Sequence, residues 1–383
     1  MKRPRSYLIT LLILSTLVQV SCAVSIPASP TALPATPTIV PFTPTVPTHT
    51  PAAATVAPKV PTTTPILPTH TPTAAKAGGG PLYVVFNPPG NDDLQDSFLQ
   101  TSVRLGANAQ KFNDEYNTNL EIGQVNDAIK AGAKGIAIGV FAPVTGLGPA
   151  LSKAARAAGI VLIAMDTPIL DADGKPVPIV RFDDKEMGLK VGDAASKLLT
   201  RSGWLKDSTR KVGVLSLEVN RQPFCNIRTD NAKAVIKAAG VPDKQIFPLQ
   251  YDIIKVDSQD TTGAILSAHP DITNWVVFGC TDSGVAGSLK AMTAAGVKTE
   301  DIIAIGIGAY EACRPWAAGQ PTGFKGSLNI SRQDMGNIAA TILNDAVVNG
   351  KLPSAVTIVP TTVIDASNFK TKMDPGLLAN CGN

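Results

Sequence analysis

Five cysteines, three histidines and thirty acidic residues are the side chains of this 383-residue chain that could hold a metal or make and break bonds. Their spacing supports neither. Cys225, Cys280, Cys313 and Cys381 lie too far apart for a zinc motif. His269 sits in a helix-ending His-Pro and is the one histidine outside a Pro/Thr-rich tract that holds His49 and His70, so a histidine-based triad has no support. Gly306 and Gly308 are a weak dinucleotide signal, because they lie within a strand-like run and no phosphate-cradling helix follows at once. What remains is reversible hydrogen bonding by Asn, Asp, Arg and Thr. No enzyme activity, cofactor or metal is expected.

These polar residues fall at the ends of apolar runs. Trp275 to Phe278 has the length and composition of a strand buried on both faces, and Gly279 to Gly284 is a polar turn. Val285 to Ala295 has helical apolar spacing that Gly296 ends, and Asp301 to Gly308 is a second buried strand. This is a βαβ unit, whose polar loops lie beyond the carboxyl ends of parallel strands, where open α/β sheets bind ligands. The pattern recurs along the chain. Leu82 to Phe86 runs into Asn87-Pro88-Pro89-Gly90-Asn91-Asp92-Asp93, with a helix predicted over 94–112. Strands are predicted at 135–141, 159–166 and 177–182, with helices at 146–158 and 185–200. A second series has strands at 211–217, 245–249, 275–278, 301–308 and 323–329, and a helix at 229–239. A helix at 332–349 and a strand at 356–359 come last. Two doubly wound, Rossmann-like α/β lobes with a cleft between them is the economical arrangement.

The first 80 residues are of another kind. Lys2, Arg3 and Arg5 precede an apolar stretch, Tyr7 to Val18, that is too short for a comfortable membrane span. Cys22 follows Ser21, and the segment resembles a bacterial lipoprotein signal, with Gln19 standing where such signals carry an aliphatic residue. That resemblance implies export and a lipid anchor on Cys22, at the outer face of the cytoplasmic membrane or in the periplasm. Residues 23–80 are rich in Pro, Thr and Ala and almost uncharged, which predicts an extended tether with polyproline II character. A net charge of +4 without a basic face argues against nucleic acid. The four cysteines of the body allow three complete pairings in an exported chain; a Cys225–Cys280 bridge would stiffen two second-lobe loops near the cleft.

The stretches DIIAIGIGAYEA and TGFKGSL, AAGVPDKQIF, SAHPDITNWVVFGCTDS, GAKGIAIGVFAP and VLIAMD together resemble the type I periplasmic sugar-binding proteins of ABC importers, most closely their arabinose-binding branch. The resemblance covers nearly all of the chain after Gly80. It implies two lobes joined by three crossings, 81–183 plus 330–359 and 184–329 plus 360–383, preceded by the signal (1–22) and the tether (23–80). Arg228 falls on the family's sugar-binding arginine, whose planar fork of donors suits adjacent acceptors on one ligand edge. Asp166 falls on a site aspartate, with capping of the next turn as its structural alternative, and Asp282 keeps a carboxylate beside the site whose commoner role is to support the loop.

Other positions depart from the arabinose pattern. Asn87 replaces a lysine, a residue at or beside Asn91 replaces a glutamate, Asp93 aligns near a tryptophan, and Thr281 and Gly308 each replace an asparagine. The change at Gly308 removes two donors and an acceptor. Sugar sites also need an apolar wall, for which Phe141, Phe182, Phe224 and Tyr310 stand at strand ends, with the hydrophobic core as their alternative.

The implied protein is a monomer that binds a monosaccharide, a pentose such as L-arabinose or a related hexose, and presents its closed form to an ABC permease with its ATPase. A sensory receptor that presents the same closed form to a chemoreceptor or histidine kinase is the alternative. A sugar-responsive repressor shares the fold, but an export signal stands where its helix-turn-helix would be.

Overall fold

The structure, a computed structural model, describes residues 80–87, 92–113, 117–140, 146–252 and 257–382. The expectations for Cys22, the tether, Asn91 and Phe141 lie outside these residues. The first part of the body is β1 (Leu82–Asn87), α1 (Asp92–Arg104), β2 (Asn108–Asn113), α2 (Thr118–Lys130), β3 (Ala133–Gly139), α3 (Leu147–Ala157), β4 (Val161–Met165) and β5 (Ile179–Arg181). The second is α4 (Asp184–Ser202), β6 (Val212–Glu218), α5 (Pro223–Ala238), β7 (Ile246–Gln250), α6 (Ser258–Ala268), β8 (Asn274–Gly279), α7 (Asp282–Ala294), β9 (Ile302–Ile307), α8 (Cys313–Ala317) and β10 (Phe324–Ile330). It closes with α9 (Arg332–Asn349), β11 (Val356–Ile358), β12 (Thr361–Ile364), α10 (Phe369–Lys372) and α11 (Pro375–Ala379).

The strands form two six-stranded sheets, ordered β2-β1-β3-β4-β5-β11 and β7-β6-β8-β9-β10-β12. Every pairing is parallel except that of β12 with β10. The two halves thus repeat one winding order, and each reverses direction between its first and third strands. That reversal opens a crevice at the carboxyl ends of β1 and β3 in one sheet and of β6 and β8 in the other. The chain changes sheets after β5, after β10 and between β11 and β12. Helix α4 packs on β8, β9, β10 and β12, whereas α9 returns to β3, β4 and β5.

Central strands are apolar because both faces are covered: β6, β8 and β9 are buried along their whole length. The edge strand β2, NAQKFN, pairs only with β1 and is exposed except at the half-buried Ala109 and Phe112. Reading 94–112 as one helix is therefore corrected: α1 ends at Arg104, Gly106 adopts a left-handed φ of 82°, and the polar edge strand follows. Helix α5 also begins earlier than its apolar spacing predicts, because Pro223 occupies the first turn, where a missing N–H costs nothing.

Two disulfides join residues far apart in sequence. Cys225–Cys280 ties the first turn of α5 to the end of β8, and Cys313–Cys381 ties α8 to the C-terminal turn. In the second half, α4 and α5 lie unusually close: a Cβ added at Gly188 would come within 2.3 Å of the Arg228 carbonyl oxygen, and one at Gly192 within 2.9 Å of the Ala232 oxygen. In the first half, Gly336 of α9 meets the Leu94 carbonyl of α1 in the same way, at 2.2 Å.

Candidate functional site

The crevices of both sheets are lined by the loops that carry the predicted polar residues. Asn87 ends β1; it is 6% exposed, packs its amide against Gly139, and makes no side-chain hydrogen bond to another described residue. Asp166 follows β4 in the left-handed region at φ 60°, a conformation that Asp tolerates better than most residues. Its carboxylate receives no protein hydrogen bond among the described residues. The residue is open to solvent, and desolvation by nearby protein shifts its pKa upward, offset in part by the positive charges of Arg228, Arg332 and Arg181. Asp166 thus follows a first-sheet strand and lies within electrostatic reach of a second-sheet arginine. The structure brings these two predicted residues together.

Arg228 lies in the second turn of α5, inside the helix rather than ahead of it. It is 7% exposed and rigidly held. Its Nε donates to Asp184 Oδ1 at 2.8 Å, Nη1 donates to the Cys280 carbonyl at 3.3 Å, and the guanidinium stacks 4.8 Å from the centre of the Phe224 ring. Two of its three nitrogens are thereby held by protein, and Nη2 has no protein partner among the described residues. Asp184 also pairs with Arg181 across the passage from β5 to α4, at 2.5 Å. A chain of charges, Arg181–Asp184–Arg228, therefore links the first crossing to the site.

Sequence reasoning missed Asp184. Its signal lies in the Asp183-Asp184 doublet: Asp183 caps α4 with its side chain, so the second carboxylate is free to orient an arginine.

The other predicted residues divide. Thr281 is the N-cap residue of α7, and its Oγ1 lies 2.8 Å from the Tyr251 hydroxyl and 2.9 Å from Ser283 Oγ. Asp282 is fully buried. Ser327 donates to its Oδ1 at 2.7 Å, and the N–H groups of Glu311 and Ala312 donate to Oδ2, each at 3.1 Å. Both oxygens are occupied, so in this structure Asp282 supports the loop after β9. Desolvation lifts its pKa to about 6 against the opposing effect of these hydrogen bonds.

Gly306, half of the weak dinucleotide signal, leaves room for that carboxylate: a Cβ there would lie 1.8 Å from Asp282 Oδ1. Phe182 is 4% exposed and belongs to the hydrophobic core, whereas Phe224 and Tyr310, the other described candidates for an apolar wall, are half-buried. Asp93 opens α1 and bonds its neighbour's N–H through Oδ1, while its Oδ2 is buried without a partner among the described residues. Gly308 adopts φ 117°.

The disulfide between Cys225 and Cys280 is one of the three pairings the sequence leaves open, and it lies directly under Arg228. Phe224 precedes one of its cysteines and Thr281 follows the other.

Comparison with known proteins agrees with this geometry. Residues 83–356 match the family model described as a periplasmic binding protein domain. The chain is 30% identical to the L-arabinose-binding periplasmic protein of Escherichia coli over 255 residues, covering 65% of this chain and 76% of that protein. It is 29% identical to the ABC transporter L-arabinose-binding periplasmic protein of Azospirillum brasilense, over 62% of this chain and 72% of that one. Both are binding proteins by name, not enzymes. In fold it is similar to the crystal structure of a periplasmic ribose ABC transporter from Conexibacter woesei, with a TM-score of 0.63 and 19% identity over 81% of this chain and 99% of that one. Two doubly wound sheets, open polar side chains at their facing crevices and a family match across most of the folded body lead to one conclusion: the chain belongs to the periplasmic binding protein family.

Proposed function

We propose that this protein is the extracytoplasmic solute-binding component of an ABC-type importer, taking a monosaccharide, an arabinose-like pentose or a related hexose, into a cleft between two hinged lobes. The lobes span 81–183 plus 330–359 and 184–329 plus 360–383. The protein acts as a monomer, held at the membrane by a lipid on Cys22 and spaced from it by residues 23–80. Sugar hydroxyls accept from Arg228 and donate to Asp166, while the Asn87 amide does both. The bound sugar stabilises the closed form, which the permease recognises, and no bond in the sugar is made or broken.

The observation that carries this reading is the set of polar groups left open where the crevices face each other. Asp166 is open to solvent with no hydrogen-bond donor among the described residues, and Arg228 is buried with Nε and Nη1 engaged and Nη2 unspent. A buried donor left unpaired is costly unless a ligand meets it, and an open carboxylate can exchange water for a sugar hydroxyl. The related arabinose-binding proteins support the ligand class.

A thermal-shift screen of pentoses, hexoses and polyols tests the proposal, because a ligand that binds only the folded state raises the melting temperature. A rise with at least one monosaccharide, confirmed by calorimetry and by recovery of the sugar unchanged, is expected; a flat screen refutes the reading. The anchor is tested separately: Cys22→Ala should release the protein from the membrane fraction.

A further inference from the structure

Gly308 and Tyr310 form a coupled pair. At φ 117° position 308 favours glycine, and the space a side chain there would enter is already taken: an added Cβ would lie 2.3 Å from Tyr310 Cε1 and 2.7 Å from Cδ1. The Tyr310 ring thus lies over the Gly308 backbone, just beyond the carboxyl end of β9. Hydroxyls cluster behind it. The Tyr310 hydroxyl lies near the side chains of Ser283 and Thr281, which bond each other, and Thr281 bonds Tyr251, which is buried over Gly284. The ring itself is only half-buried, and its hydroxyl lies within the field of Arg332, the first residue of the helix that returns to the first sheet. It therefore faces the cleft from the second half while sensing the first.

We propose that Tyr310 is the specificity-determining wall of the sugar site. The C–H face of a neutral monosaccharide or cyclic polyol packs on its ring, and ligand oxygens on that side meet the Tyr310–Ser283–Thr281–Tyr251 hydroxyls. This inference rests on the sugar-binding reading above and deepens it. An amide offers a fixed donor end and a fixed acceptor end, whereas each hydroxyl rotates to do either. A wall of hydroxyls and one aromatic face accordingly tolerates an inverted ligand hydroxyl better than an amide wall. The fixed ring also limits the depth of the site.

The test compares wild type, Tyr310→Phe, Tyr310→Ala and Arg228→Ala by calorimetry against pentoses, hexoses, cyclic polyols and disaccharides. Circular dichroism melts confirm that each variant folds. We expect Tyr310→Ala to bind the preferred wild-type ligand about tenfold more weakly and to accept a larger member of the panel. Tyr310→Phe, which keeps the ring, should hold affinity within roughly threefold but change the ranking of epimers. If both Tyr310 variants keep the wild-type ranking and affinities within about twofold while Arg228→Ala loses binding, the wall is elsewhere and the sugar-binding reading stands. If wild type binds no member of the panel, that reading falls and this inference falls with it. If Tyr310→Ala does not fold, the ranking shown by Tyr310→Phe decides alone.

Discussion

Removing the Cys225–Cys280 bridge should damage stability and recognition together, and the structure gives a size to the first effect. The two cysteines are separated by 55 residues, so the bridge closes a long loop in the unfolded chain. The chain-entropy relation for a loop of that length corresponds to about 4 kcal/mol at 25 °C. Both cysteines are fully buried, so alanine is the appropriate replacement; serine would add a buried hydroxyl. The variant Cys225→Ala/Cys280→Ala leaves Cys313–Cys381 in place, which a chemical reductant would not. Guanidinium unfolding followed by circular dichroism should show a loss of about 2–4 kcal/mol. The second effect follows from the neighbours of the bridge. Cys280 carries the carbonyl that accepts from Arg228 Nη1, and Cys225 lies three residues before that arginine. Freed from each other, these two segments no longer fix the guanidinium, and affinity for the sugar should fall by roughly tenfold. A variant that melts within about 1 kcal/mol of wild type would refute the entropic argument. One that loses stability yet binds normally would show that Asp184 and Phe224 alone aim the arginine.

Three further outcomes are expected. Asp166→Asn keeps a residue type suited to φ 60° and removes a charged acceptor, so sugar affinity should fall by roughly tenfold at neutral pH while the melting temperature, for a residue open to solvent, stays near that of wild type; calorimetry and thermal melts measure the two. For Asp282 the folded pKa of about 6 lies above the unfolded 3.8, so the native state binds the extra proton and stability declines as pH rises between these values. Melting of wild type and Asp282→Asn from pH 3.5 to 7 should show this decline only in wild type; parallel curves would contradict it. Gly188→Ala places a methyl against the Arg228 carbonyl and should cost about 1–3 kcal/mol, with weaker sugar binding as α5 shifts; equilibrium unfolding and calorimetry measure the two losses.

The buried strands were legible in the sequence because a strand covered on both faces must be apolar throughout, as β6, β8 and β9 are. The edge strand β2 was not, since one polar flank gives NAQKFN the composition of a helix surface. The start of α5 was hidden by Gln222-Pro223, which reads equally as loop or first turn. At the candidate site, Arg228 and Asp166 were singled out through motifs, but what orients Arg228 was not. Asp184 reaches Arg228 from 44 positions away, Cys280 from 52, and no local pattern encodes such distances. Tyr310 looked like one of several interchangeable aromatics until the backbone at Gly308 showed where its ring must lie. For Asp282 the sequence offered loop support as the commoner role beside the site, but not the partners: the N–H groups that claim it come from a loop after the next strand.

The near-contact of α4 with α5 at Gly188 bears on anyone who would refashion this receptor for another solute. The guanidinium proposed to hold the sugar is borne on a backbone wedged against a neighbouring helix with no slack, so its location is set by a residue outside the proposed site. Retargeting by substitutions on the opposite bank of the cleft leaves that wedge intact, whereas enlarging the glycine would move the anchor before any new contact had been made.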